Sequence, residues 1–324
     1  KPSDGLPVFA KSIKLAKPVE TARLYATAKG IYDVFINKEK IHDDYLRPGW
    51  TNYKKRHQYQ SYNVTEFMKP DILIELTVAP GWYIGQYGGD GLSNHYGKHA
   101  AATLELHILY EDGSKEIIRT NEDWKWRKSE IISSEIYHGE TVDFTRSVDS
   151  YASVITEKVD TSLLIGEESE PVRIIEIIDA VDLIQTPKGE TVIDFGQNIA
   201  GIVQFKATTE KGQNITIRHA EVLDKYGNFY TENLRSAKAT EVYICTKGTQ
   251  TIKPRFTFHG FRYIAVEGLE TKLNINDFKA LALSSDLEKA ASFECSNELV
   301  NRLWSNINWS MNGNFVDIPT DCPQ

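Results

Sequence analysis

Along most of this 324-residue chain, apolar and polar residues alternate with a period of two. Residues 22–28, 32–37, 73–78, 102–110 and 115–119 each put apolar side chains on one face and polar ones on the other, which predicts half-buried strands. Lys29-Gly30 lies between the first two runs and predicts a hairpin. Glu111-Asp112-Gly113-Ser114 predicts a tight turn, because Asp-Gly tolerates positive φ. After a weaker stretch and the acidic run Gly166-Glu167-Glu168-Ser169-Glu170-Pro171, read as a linker, the alternation resumes. Residues 191–195, 201–207, 214–220, 240–246 and 263–266 carry the β-branched and aromatic residues that suit pleated surfaces. Short strands at this spacing predict two β-sandwiches.

The period changes after Ser292. Leu299, Leu303, Ile307 and Met311 lie four apart, flanked by Val300 and Trp304, which predicts an amphipathic helix of about four turns. Ser296 is its expected N-cap and Asn312-Gly313 its expected stop. One helix cannot bury an apolar stripe alone, so it reads either as the first helix of an all-helical domain or as packed on the second sandwich. The expected organisation is 1–155 for the first sandwich, 156–288 for the second and 289–324 for the helical start.

Composition narrows the function classes. The chain is 41% hydrophobic and 25% charged, with a net charge of −8, as in globular proteins. No basic stripe is present to neutralise phosphates, so a nucleic-acid partner is not expected. The cluster Lys54-Lys55-Arg56-His57 is too short to change this. No apolar run approaches a membrane span. The chain opens on Lys1 rather than Met, without a leader-like segment, which predicts removal of an N-terminal piece. Cys245, Cys295 and Cys322 provide neither a disulfide framework nor metal spacing. The three Asn-Xaa-Ser/Thr sequons are as many as chance supplies.

Candidate chemistry concentrates in loops. Trp50, Trp82 and the Gly88–Gly97 region combine aromatic faces with Asp90 and Asn94, the residue types that hold sugars. The competing reading makes Trp50 and Trp82 core aromatics and the glycines turn formers. Calcium needs about six to eight oxygens. Asp90, Asn94, Glu140 and Asp143 are the nearest supply in these loops, but their spacing matches no EF-hand loop and solvated surface carboxylates are the preferred reading. No nucleophile elbow, P-loop, dinucleotide fingerprint or zinc-protease motif occurs. Asp317 and Asp321 are four apart, but Pro319 between them predicts a loop.

Three blocks, taken in order, resemble the bacterial α-L-rhamnosidases, which are inverting glycoside hydrolases. The first comprises Gly30-Ile-Tyr-Asp-Val-Phe-Ile-Asn37, Leu46-Arg-Pro-Gly-Trp-Thr-Asn-Tyr53 and Ile136-Tyr-His-Gly-Glu-Thr-Val-Asp143. The second is Asp194-Phe-Gly-Gln-Asn198 with His219-Ala-Glu221 and Phe258-His-Gly-Phe-Arg-Tyr263. The third runs from Phe293 into Asp321-Cys-Pro-Gln324, which is similar to the approach to the family's active-site signature. The resemblance implies a mainly β chain: an N-terminal carbohydrate-binding-like sandwich, a concanavalin-like sandwich, and the first helix of an (α/α)6 barrel. It implies hydrolysis of terminal α-L-rhamnosides with inversion by the parent protein. It also implies that the general acid and base lie beyond Gln324, so no catalytic residue is assigned within the chain and the chain alone is expected to be inactive. Asp321 matches the aspartate that contacts sugar in the family's pocket. Trp82, Asp90 and Asn94 are weaker candidates for sugar binding, and Asp90 and Asn94 also for calcium. No cofactor is expected to be required, with calcium possible in the first sandwich. The expected partner is a rhamnose-containing glycoside or polysaccharide, with no nucleic acid and no membrane. The expected location is extracytoplasmic, secreted or periplasmic. The competing functions are a non-catalytic rhamnose-binding protein and a structural scaffold for a barrel.

Overall fold

The structure, a computed structural model, describes residues 4–86, 91–148, 150–269 and 273–320. It resolves into two compact units, one formed by residues 1–135 and 146–169, the other by 136–145 and 170–324.

The first unit packs two sheets face to face. In the six-stranded sheet Ala152–Ser153, Lys125–Lys128, Pro7–Lys14, Asp71–Ala79, Ile31–Ile36 and Glu39–Lys40 are neighbours in that order. In the five-stranded sheet the order is Leu164–Gly166, His57–Asn63, Val19–Lys29, Ala101–Tyr110 and Lys115–Arg119. The alternation read from the sequence sends Leu24, Leu104 and Leu106 inward from one sheet to meet Val34, Ile72, Ile74 and Leu76 from the other, with Trp124 fully buried among them. The turn at 111–114 forms as expected: the Tyr110 N–H donates to the Ser114 carbonyl at 2.9 Å and Gly113 takes φ +81°. Lys29-Gly30 does not make a hairpin. Val19–Lys29 and Ile31–Ile36 belong to different sheets, and Gly30, at φ +137°, turns the chain from one to the other. A Cβ there would overlap the Ala79 carbonyl oxygen, so the corner requires glycine.

The second unit is built around one long strand, Thr191–Thr209. It pairs with Asp182–Gln185 and His259–Glu267 over its first part, and with Phe278–Ser285 and Gly248–Ile252 over its second. The expected strands 191–195 and 201–207 are therefore one strand, interrupted by a register shift between Asp194 and Ile199. Asn214–Ala220, Thr240–Ile244 and Gly139–Asp143 extend the sheet on one side, and Val172–Asp179 closes the other. The strand 139–143, numbered within the first expected domain, thus pairs in parallel with Thr240–Ile244 in this unit. Phe205, stacked on Phe278 at 5.5 Å and edge-on to Tyr243 at 5.6 Å, anchors the core.

Glu298–Asn314 is the expected helix, one residue displaced at its start. Asn297, not Ser296, caps it: the Asn297 side chain accepts the Leu299 and Val300 N–H groups at 3.0 and 3.4 Å. The helix lies on Thr191–Thr209 and Phe278–Ser285, and Gly313 is buried. Its apolar stripe stays outside, with Leu299 81%, Leu303 57%, Ile307 44% and Met311 49% exposed.

Candidate functional site

The sequence blocks converge in the second unit. The register shift in Thr191–Thr209 is made by Asp194-Phe-Gly-Gln-Asn198, where Gly196 adopts φ +73°. Asp194 holds this bulge. Its carboxylate accepts the Gly196 N–H at 2.6 Å and both forks of the Arg262 guanidinium at 2.7 Å each. That bidentate pair raises the Arg262 pKa further, the hydrogen bond to Asp194 being the main cause. Beyond the bulge, Asn198 Nδ2 donates to Glu221 Oε1 at 3.0 Å and Asn233 Nδ2 to Glu221 Oε2 at 3.4 Å. Two motifs distant in sequence, 194–198 and 258–263, are thus locked together, with Glu221 of the His-Ala-Glu motif at their polar end.

Inside the same sheet lies a buried trio. His219, Glu241 and His259 are 1%, 1% and 3% exposed. His259 Nε2 and Glu241 Oε1 are 2.6 Å apart, and His219 Nδ1 lies 3.2 Å from Glu241 Oε2 and 3.0 Å from the Ala239 carbonyl. Burial dominates their titration. It lifts Glu241 to about 7 and lowers His219 to about 4 and His259 to about 3. Burial thus disfavours charge on all three groups, which favours a neutral trio in which a protonated Glu241 donates to His259. Two imidazoles and a carboxylate are a donor set that zinc accepts. However, ligand atoms about 2.0–2.1 Å from a tetrahedral ion stand ~3.3 Å apart, wider than the 2.6 Å found here. The trio fits a shared proton better than a metal. Among the described residues it is the one His/Cys/Asp/Glu group close enough to raise the question.

Glu140, counted among the possible calcium ligands, is corrected by the structure. It is 1% exposed and accepts the backbone N–H groups of Phe256 and Arg255 at 2.6 and 3.1 Å. It fastens the strand 139–143 internally, and burial lifts it to about 7. Asp143 accepts Thr145 N–H and O–H at 2.9 and 2.6 Å, a local turn.

Of the other sequence candidates, Trp82 and Asn94 belong to the first unit. In the first unit Trp82 is 6% exposed on the short helix Gly81–Ile84 and stacks on Trp50, ring centres 6.2 Å apart. Asn94 is exposed at φ +65°, and its N–H donates to the Ile84 carbonyl at 2.7 Å, which brings the loop back to the Trp82 helix. Asp90 lies outside the described residues, as does Asp321. The approach to Asp321 is described. Phe315–Val316 and Ile318–Pro319 form a small hairpin around Asp317, at φ +74°, in place of the expected loop. The hairpin is tied to the sheet by Ser284 Oγ donating to the Phe315 carbonyl at 3.1 Å and by the Asp317 N–H donating to Ser285 Oγ at 3.1 Å. Val316 is fully buried beneath it. The interior pairings of Asp194, Glu241 and Glu140 were missed from sequence because each partner is far along the chain.

Three family profiles match in chain order: the α-L-rhamnosidase N-terminal domain at 17–176, the bacterial α-L-rhamnosidase concanavalin-like domain at 184–284, and the bacterial α-L-rhamnosidase 6 hairpin glycosidase domain at 288–324. The chain belongs to the α-L-rhamnosidases. An α-L-rhamnosidase of Streptomyces avermitilis is 37% identical over 320 residues, 95% of this chain and 31% of the relative. The structure of native α-L-rhamnosidase from Aspergillus terreus superposes with a TM-score of 0.94 at 37% identity, covering 99% of this chain and 39% of that one. The Streptomyces avermitilis enzyme complexed with L-rhamnose gives 0.92 at 35% identity, covering 99% and 32%. The chain therefore spans about a third of the length of the rhamnosidases it matches.

Proposed function

We propose that these residues form part of an enzyme that hydrolyses terminal α-L-rhamnosides with inversion of configuration. The observation that carries this reading is the unbroken likeness to α-L-rhamnosidases over 95–97% of the chain. Inverting hydrolysis needs an acid and a base about 6.5–9.5 Å apart across the sugar. The two carboxyls lifted by burial, Glu140 and Glu241, are both inaccessible to a substrate. Neither is therefore assigned as the acid or the base; the resemblance to the family implies a general acid and base in the sequence that follows its Asp-Cys-Pro-Gln signature. In this reading the pinned hairpin at 315–319 delivers Asp321 to the sugar pocket, and the exposed stripe Leu299, Leu303, Ile307 and Met311 is the face on which further barrel helices pack. Asp90 and Asn94 would serve a saccharide in the first unit, with calcium on the same two residues, while Trp82, 6% exposed and stacked on Trp50, fits the core reading. The substrate is a rhamnose-containing glycoside or polysaccharide met outside the cytoplasm. The test is hydrolysis of an aryl α-L-rhamnoside by the polypeptide from its source, with the anomer formed first read by proton NMR. Release of β-L-rhamnose, abolished by Asp321→Ala, is expected. Retention of configuration, or full activity of the isolated 324-residue chain, would refute the reading.

A further inference from the structure

The chain that leads to Asp321 is held by two side chains outside the family-like blocks. The strand Phe278–Ser285 ends on Ser284 and Ser285, 1% and 7% exposed. The bonding of the sheet there is made by backbone: Val172 pairs with Ser285, Arg173 with Ser284, and the Asp286 N–H donates to the Pro171 carbonyl at 2.8 Å. Both hydroxyls turn instead to the hairpin at 315–319. Ser284 Oγ donates to the Phe315 carbonyl and Ser285 Oγ accepts the Asp317 N–H, each at 3.1 Å.

The hairpin needs such holding. Phe315 pairs with Pro319 and Val316 with Ile318, so the reversal falls on Asp317 alone. At φ +74° Asp317 occupies the left-handed region that side chains other than glycine seldom adopt. Such a conformation persists where surrounding contacts impose it. The hairpin's own core is small, since Val316 is the one buried residue among 315–319. The exit from the hairpin is fixed on the helix. The Thr320 N–H donates to the Asn314 carbonyl at 2.8 Å and the Thr320 hydroxyl to the Gly313 carbonyl at 3.4 Å. These are carbonyls that a helix end leaves without an intrahelical partner. Asp321 follows Thr320 directly. The backbone entering Asp321 is thus referenced to the end of the strand through the serines and to the end of the helix through Thr320. We propose that Ser284 and Ser285 are positioning residues for the sugar pocket: by fixing the reversal at Asp317 they set the path on which the chain presents Asp321 to rhamnose. The role of Asp321 in this proposal rests on the hydrolase reading. A hydrogen bond made at about 2.8 Å is lost by about 3.6 Å, so a displacement of under about 1 Å is enough to break a contact between Asp321 and the sugar.

The experiment is calorimetric titration of the polypeptide from its source, and of variants in it, with L-rhamnose, alongside amide exchange. Ser284→Ala combined with Ser285→Ala is expected to weaken L-rhamnose at least about tenfold, equivalent to 1.4 kcal/mol. Amides of residues 316–320 should exchange faster in that variant, with those of residues 278–283 unchanged. In an Asp321→Asn background the two serine substitutions are expected to cause no further loss of binding, because residues that act through Asp321 are not additive with it. Unaltered affinity or unaltered exchange at 316–320 in the double variant, an equal further loss in the Asp321→Asn background, or faster exchange along the whole strand Phe278–Ser285 would each overturn the proposal. If the unsubstituted polypeptide neither binds nor releases rhamnose, the hydrolase reading fails and takes this proposal with it; if it does both and the double variant binds equally well, the proposal fails alone.

Discussion

Glu241→Gln tests the account of the buried trio most directly. In the folded chain this carboxyl titrates near 7 instead of 4.5, because burial penalises its charged form. Between those two values the unfolded chain has already lost the proton while the folded chain keeps it. The folded state therefore binds more protons there, and stability falls as pH rises from 4.5 to 7. Each unit of separation is worth about 1.36 kcal/mol, so ionising Glu241 in place costs about 3 kcal/mol by pH 7.5. Glutamine keeps the shape and can still donate to His259, so at pH 5, where the wild-type carboxyl is protonated, the substitution is expected to cost under about 1 kcal/mol. At pH 7.5 the glutamine variant should be the more stable by about 2–3 kcal/mol. Urea unfolding at both pH values measures this. A stability difference that stays the same at pH 5 and pH 7.5, or a variant weaker at both, would refute the assignment of the proton to the carboxyl.

The same linkage fixes the wild-type profile. Glu140 is lifted to about 7 like Glu241, and loses stability over the same window. His219 and His259 are lowered from 6.5 to about 4 and about 3, so their contribution is lost as pH falls from 6.5 towards those values. Two carboxyls that hold extra protons and two histidines that refuse them cancel between about pH 4.5 and 6.5. The joint contribution of these four groups is expected to be flat across that span, to drop on the acid side and to dip towards pH 7, while His57 and His138, also lowered by burial, add a rise of stability with pH. In Glu241→Gln the cancellation fails, and the flat span tilts upward with pH.

Further perturbations separate the remaining contacts. Arg262→Ala leaves the Asp194 carboxylate with the Gly196 N–H as its described partner and should lower stability by about 1–2 kcal/mol, discounted because Arg262 is partly exposed; Arg262→Lys, lacking the fork, should recover less than half of that in the same urea titration. Asn297→Ala removes the cap of the helix Glu298–Asn314 and is expected to cost about 1 kcal/mol, read by amide exchange confined to its first turn. Leu303→Glu with Ile307→Glu changes side chains already 57% and 44% exposed, so the midpoint of unfolding should hold while the solubility limit of the isolated chain rises.

What could be read from the sequence depended on how local its cause was. The turn at 111–114 was legible because Asp112 and Gly113 decide it themselves; Asp112 even accepts the Ser114 N–H at 3.0 Å. The helix was legible from its fourfold spacing, and its stripe faces outward while the helix lies on Thr191–Thr209 and Phe278–Ser285. Lys29-Gly30 misled because its geometry is set by Val78 and Ala79 in a strand some fifty residues further on. The interruption at 195–198 looked like a boundary between strands, since a bulge and a turn break alternation in the same way. Glu140 looked like surface chemistry because nothing nearby in sequence announces Arg255 and Phe256 as its partners.

The site shows the same division. Residues 194–198, 219–221 and 258–263 could be picked out one by one, yet their roles arise only in combination. His219 lies in the strand Asn214–Ala220 and Glu221 just past its end, but the first is sealed in the trio while the second meets Asn198 and Asn233 at the polar end. Asp194 and Arg262 then fix that end to the neighbouring strand. The carboxyls raised most by their surroundings, Glu140 and Glu241, are therefore structural, sealed in the sheet. A raised carboxyl is commonly taken as a mark of catalysis. Here accessibility decides the matter: Glu140 and Glu241 reach amides and imidazoles but no solvent, and reactive carboxylates must be sought where a sugar can arrive.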